Sequence, residues 1–275
     1  MHVITVSTGK GGDAKTRTVI ELAAAFAERG ARVGVVDGDS QQHATQGLGI
    51  AKTAVDRELS TYAVFARKAS DEPTRMREAF VPSSVLGVRV LAAEPRVGGL
   101  DRALVEVHGA EMLLREMLAE VADDFDVVLI DLSAHPGTMT ANAYIAASHL
   151  IVPSQLVDES VDGALETVKR ARLVAKRFGH PLEVLAIIPT KVPVVGRTRD
   201  SRALETQLRQ RFGALVTRPV RATGAPPSAF ARGIPVLAHA RSSATAQDYL
   251  AIAGELAERI GLPVAPVDAS FPATV

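Results

Sequence analysis

Residues 2–30 read HVITVSTGKGGDAKTRTVIELAAAFAERG. An apolar run of strand length leads straight into a glycine-rich loop, and the loop leads straight into a run with apolar residues at three- and four-residue spacing. Strand, glycine-rich loop and helix start in this order allow backbone N–H groups to close around a phosphate, with the helix N-terminus adding its positive dipole end.

The same alternation continues along the chain. Apolar runs recur at HVITV, RVGVVD, GVRVLAA, DVVLID, HLIVP and EVLAIIP, and most are continuous, as strands buried on both faces are. Helical spacing fills 16–29, 102–122, 138–147, 158–178, 198–212 and 243–260. The expected fold class is α/β: a mainly parallel sheet of the P-loop NTPase kind, covered by helices on both faces, with chemistry beyond the carboxyl ends of its strands. The sequence shows no repeat and no linker, so residues 1–262 are expected to form one domain. GAPP at 224–227 reads as a loop, and 263–275, rich in Pro and small residues, as a frayed tail.

Composition removes several alternatives. The 275 residues include no cysteine, which excludes disulfides, thiolate metal sites, a cysteine nucleophile and cysteine-held iron–sulfur clusters. The N-terminus has neither a basic n-region with an apolar core nor a run of 18 apolar residues, so a cytoplasmic, non-membrane protein is expected. Net charge is zero, yet charge is segregated: residues 1–168 carry 15 basic and 24 acidic side chains, residues 169–241 carry 15 and 3, and residues 242–275 carry 1 and 4. A basic segment of this kind points to a nucleic acid or another anionic surface.

Within the loop, Gly11, Gly12, Asp13, Ala14, Lys15, Thr16 and Arg17 form the expected phosphate-binding stretch. Lys15 is placed to reach the β and γ oxygens of a nucleotide and Thr16 to ligate magnesium. The general pattern wants glycine where Ala14 stands; if that position needs positive φ, alanine costs roughly 1 kcal/mol.

The run Lys10-Gly11-Gly12 followed two residues later by Lys15-Thr16 resembles the deviant Walker A motif of the ParA/MinD ATPases. The resemblance implies ATP and Mg2+ as cofactors, and it implies that Lys10 reaches across a homodimer to the partner's nucleotide. There it acts as an arginine finger does, alongside the catalytic Lys15 and Asp39. VGVVDGDSQQHATQGLG resembles the family's second strand and first switch, which puts Asp37 near the metal and gives Asp39 the attacking water to orient. His43 stands where the family commonly has Asn and reads as a solvent-facing substitution. FDVVLIDLSAHPG resembles the Walker B strand and second switch, with Asp131 a metal-shell carboxylate and Gly137 at the family's spacing, although Leu132 to His135 depart from the usual Thr-Pro-Pro-Ser. HLIVPSQLVDES and SAFARGIPVLAH resemble later motifs, so the likeness covers roughly residues 2–260.

Through the same resemblance, Arg197, Arg199, Arg202 and Arg221 are expected to hold non-specific double-stranded DNA, since the zone has almost no aromatics to stack on single strands. The motif begins at residue 9, leaving no room upstream for a helix-turn-helix domain. Specificity would then come from a separate, ParB-like centromere-binding protein, in a nucleoid-associated cycle. A membrane-cycling alternative needs a basic amphipathic C-terminal helix, and residues 247–262 carry one arginine against three acids. A switch that binds ATP without turning it over is the remaining alternative. The loops at 189–191 and 219–226 are placed to meet the adenine.

Overall fold

The computed structural model describes residues 1–135 and 137–263; the expected tail lies outside them apart from residue 263. Seven strands form the main sheet: β1 (His2–Val6), β2 (Val33–Gly38), β3 (Phe80–Pro82), β4 (Val88–Leu91), β5 (Val127–Leu132), β6 (His149–Gln155) and β7 (Glu183–Thr190). Their order is β3-β4-β2-β5-β1-β6-β7. Every neighbouring pair is parallel except β3–β4 at the edge. β2 and β5 are buried along their whole lengths, which is why their sequences run apolar without alternation.

The helices are α1 (Lys15–Glu28), α2 (His43–Gly47), α3 (Thr61–Ala69), α4 (Met76–Ala79), α5 (Leu100–Ala103), α6 (Leu113–Ala119), α7 (Thr138–Ala146), α8 (Asp158–Arg177), α9 (Arg199–Phe212), α10 (Ala225–Ala231), α11 (Val236–His239) and α12 (Ala244–Ile260). They divide between two cores. Against one sheet face pack α1, α10, α11 and α12; against the other pack α3, α6, α7, α8 and α9. Alternation along the strands assigns the faces: Val33 and Val35 of β2 and Val127 and Leu129 of β5 join the α1 side, whereas Val36, Val128 and Ile130 join the other. By the same period of two, Asp37 and Asp131 belong to the α1 side.

Three expectations need correction. The helix expected over 102–122 is broken into α5, a 3-10 turn at Ala110–Met112 and α6; Gly109, at φ +73°, turns the chain between them. GAPP is not a loop but opens α10, with proline in the first turn, where a missing N–H costs nothing. The antiparallel edge strand β3 and the helix α3 have no counterpart among the expected elements. Among the described residues, no helix is long and apolar enough to cross a membrane.

Candidate nucleotide site

The glycine-rich loop leaves β1 and turns back into α1 through two residues of positive φ, Gly12 at +94° and Ala14 at +67°. Ala14 therefore occupies the left-handed position that its place in the motif demands, at the steric cost expected of a β-carbon there. The loop is fastened from both sides by Asp13, whose buried carboxylate accepts from Thr8 Oγ1 at 2.9 Å and Ser160 Oγ at 2.8 Å. Gln155 Nε2 donates to the Gly12 carbonyl at 2.9 Å and Thr190 Oγ1 to that of Asp13 at 3.2 Å. The Asp13 side chain is thus a brace facing inward, and only its backbone is left for a phosphate.

Beneath this loop, Asp37 and Asp131 stand in register on β2 and β5, both fully buried. Asp37 is well partnered: one oxygen accepts from Thr45 N at 2.8 Å and Thr45 Oγ1 at 2.6 Å, tying α2 to the strand, and the other accepts from Asp39 N at 3.1 Å. Neither oxygen of Asp131 has a well-formed hydrogen bond among the described residues, although the Thr16 hydroxyl lies close enough to lower its pKa. Burial pushes Asp37 up to about 6, while burial and the neighbouring Asp37 hold Asp131 well above the usual carboxylate range. A buried carboxylate so poorly partnered is costly on its own. The arrangement fits a hard divalent cation, which favours carboxylate and hydroxyl oxygens and would remove the penalty. Thr16, in the first turn of α1, brings its hydroxyl up to Asp131.

Lys15 is buried, and burial lowers its pKa against the pull of Asp131, Asp13 and Asp39. An ammonium so placed offers a strong charge to a polyanion. Lys10 extends from the loop to Glu159 in the first turn of α8, and the two exposed groups form an ion pair. Asp39 lies just past β2, half-buried, accepting from Gln41 N at 2.9 Å.

A cleft of about 560 Å³ opens beside the loop, lined by Ala14 to Arg17 and by residues from both segments expected to meet a base: Thr190 and Lys191, then Val220 to Thr223 and Pro226. Arg17 forms its wall, donating to the Pro226 carbonyl at 2.9 Å and to Glu21 at 3.0 Å, with its guanidinium over Phe230. His43 is exposed, as expected, but also lines the cleft and meets Phe230 edge-on.

The expected DNA contacts fall into two kinds. Arg199 and Arg202 carry no acidic partner among the described residues, whereas Arg197 is paired with Glu205 and Arg221 with Asp248. Arg221 also lines the cleft beside the loop, with its side chain 42% exposed.

The sequence profile of the AAA domain family matches residues 1–184. The chromosome-partitioning ATPase Soj of Thermus thermophilus is 33% identical over 262 residues, covering 94% of this chain and 96% of that protein. The chromosome partitioning protein ParA of Myxococcus xanthus is 28% identical, covering 94% and 88%. The chain belongs to the ParA family. Among solved structures, a Cyanothece McdA variant in complex with ATP superposes on this ParA-family chain with a TM-score of 0.82 at 16% identity, covering 97% of this chain and 98% of that one. A cobyrinic acid a,c-diamide synthase from Mycobacterium smegmatis with bound ADP and magnesium gives 0.77 at 28% identity, covering 96% and 98%.

Several residues that build the site of this ParA-family protein carry no signal in the sequence. Thr8, Ser160 and Gln155 brace the loop, Thr45 holds Asp37, and Glu21 receives the N–H groups of Val236 and Leu237 at the start of α11. Of these, Thr8 and Thr45 lie within ten residues of their partners, whereas Gln155, Ser160 and Glu21 bond across 143 to 216 residues, so no local pattern marks those three.

Proposed function

We propose that this chain binds ATP with Mg2+ between two copies of itself, holds duplex DNA non-specifically as that dimer, and lets go when ATP is hydrolysed. The observation that carries the reading is Asp131: a fully buried carboxylate with no well-formed hydrogen bond among the described residues, close to the Thr16 hydroxyl, in register with Asp37 and beneath Lys15. The family to which the chain belongs supports the nucleotide, and its relatives' names support partition as the task.

In this reading Thr16, Asp37 and Asp131 would hold the cation, with Asp37 also keeping α2 in place. A cation held there would supply neutralisation of the phosphate charge. The loop's N–H groups and Lys15 fix the triphosphate, while Asp39 orients a water for in-line attack on the γ-phosphorus. As the water oxygen bonds to phosphorus, the bond to the β–γ bridging oxygen breaks and ADP leaves with that electron pair. Lys10, after leaving Glu159, stabilises the same charge in the partner's site. Arg199 and Arg202 offer charge to DNA phosphates, and a ParB-like protein supplies the site specificity. The cycle runs in the cytoplasm on the nucleoid. A membrane cycle through α12 is disfavoured because its apolar side, including Tyr249, Ile252, Ala253 and Leu256, is buried in the core with α1.

The test is steady-state phosphate release with arbitrary duplex DNA and a cognate partner. Turnover above background in the wild type, its loss in Lys15→Ala, and DNA retention without turnover in Asp39→Ala are expected. ATP binding with no release under any condition would replace this reading with that of a non-hydrolysing switch.

A further inference from the structure

The most concentrated free positive charge on the described surface lies on α8, apart from the arginines expected to hold DNA. The inner face of α8 is buried through Val161, Ala164, Val168, Ala171 and Ala175. Its outer face changes character half-way. Asp158, Glu159, Asp162 and Glu166 occupy the first half, and Lys169, Arg170, Arg172, Lys176 and Arg177 the second, all five exposed. Only Lys169 has an acidic partner among the described residues, Glu166 at 3.1 Å. Arg170, Arg172, Lys176 and Arg177 make no ion pair there.

Helix-dipole complementarity explains basic residues in a last turn, and Lys176 and Arg177 are in it. The effect fades within one turn, so it does not explain Arg170 and Arg172. Nor is the face an apolar docking groove: its exposed apolar side chains are Leu173 at 53% and Phe178 at 40%, both set among cations.

We propose that the second half of α8 is a docking face for the phosphate backbone of duplex DNA. Four unneutralised cations over roughly 10 Å of helix, by the rise of 1.5 Å per residue, face the roughly six phosphates that a duplex presents over the same length. Three of them are guanidinium groups, which grip phosphate oxygens two at a time. Two half-exposed apolar side chains are too little to seat a helix in a bilayer and enough to touch deoxyribose.

This face is separate from the Arg199–Arg202 cluster. α8 descends from the carboxyl end of β6 and ends just before the amino end of β7, whereas α9 starts beyond the carboxyl end of β7. Arg211 near the end of α9 reaches Asp162 near the start of α8 at 3.1 Å, and the one fully buried residue of α9 is Leu208 in its second half. The basic half of α8 therefore lies toward the opposite edge of the sheet from Arg199 and Arg202, and each set can be removed without the other.

The inference rests on the DNA reading above, and the experiment separates the two. Affinity of the full chain for an arbitrary duplex, with ATP and Mg2+, is measured against salt for three proteins. These are the wild type, the variant Arg170→Gln/Arg172→Gln/Lys176→Gln/Arg177→Gln, and the variant Arg170→Lys/Arg172→Lys/Arg177→Lys. With about 0.9 of logarithmic salt slope per phosphate contact, the glutamine variant should lose about 3 to 4 from the slope and bind at least about tenfold more weakly near 0.1 M salt. The lysine variant should keep the slope, which a merely structural role would not distinguish. A wild type that binds duplex and a folded glutamine variant with the same slope overturns the α8 face alone. A wild type that binds no duplex overturns the DNA reading as well. Co-sedimentation with 1:1 phosphatidylglycerol–phosphatidylcholine vesicles that depends on these four cations, without duplex binding, assigns the face to membranes instead.

Discussion

Lys10, at the tip of the glycine-rich loop, is ion-paired with Glu159 at the start of α8. Both groups are exposed, so the pair is weak and readily exchanged, yet it holds in its own subunit the lysine proposed to act in the partner's. Glu159→Gln should free it and strengthen ATP-dependent dimerisation by at most a few-fold, whereas Lys10→Ala should weaken it. Sedimentation with ATP and Mg2+ reads both; a Glu159→Gln chain that dimerises less would contradict the assignment.

Asp131→Asn should stabilise the metal-free protein and abolish its response to Mg2+–ATP. Removing a buried carboxyl whose ionisation burial and Asp37 oppose raises stability, and removing the carboxylate removes the cation's ligand. Thermal melts with and without Mg2+–ATP check this: a higher baseline with no shift on loading is the expected pattern.

Metal-free stability should fall as pH rises from about 4 through about 6. Asp37 is raised to about 6 by burial, so in that window the folded state holds a proton the unfolded chain has released, and folding is favoured at the acid end. Asp131, raised for the same reason and by Asp37, extends the decline to higher pH. Mg2+ should reverse the trend, because it needs both carboxylates ionised. Urea titrations at pH 5 and pH 7.5, with and without Mg2+, give the sign.

Ala14→Gly should raise stability modestly. The left-handed φ of +67° costs alanine about 1 kcal/mol or more, partly offset by glycine's greater freedom when unfolded. A gain of up to about 1 kcal/mol corresponds to roughly 2–4 °C in Tm for a chain of this size, and calorimetry resolves that.

Glu21→Ala should destabilise by about 2–4 kcal/mol. It strands the N–H groups of Val236 and Leu237 and releases Arg17 from the wall of the nucleotide cleft. Denaturant unfolding measures the loss, and weaker ATP binding should accompany it.

The layer architecture and the phosphate loop were legible because both are local: a strand followed by a helix leaves its period in the sequence, and the loop's residues are consecutive. Asp37 and Asp131 could each be placed at a strand end, but that they stand side by side is a fact of register, invisible until β2 and β5 are paired. What failed was also specific. The 102–122 segment has helical spacing throughout, and one glycine at positive φ breaks it; Pro226 and Pro227 look like loop residues and start a helix. Counting arginines located the basic segment of the chain without revealing which of them acids already neutralise. Glu205 is only eight residues from Arg197, but Asp248 is twenty-seven from Arg221.

Asp13 bears on how the nucleotide is met. With Thr8 on one side and Ser160 on the other, the loop reaches its curved shape when the chain folds, and an arriving triphosphate finds a mould already set. Loosening either hydroxyl would leave the phosphate contacts intact in number and charge them instead with ordering the loop, so a fault 147 residues away in sequence, at Ser160, would be felt as slack in the grip on ATP.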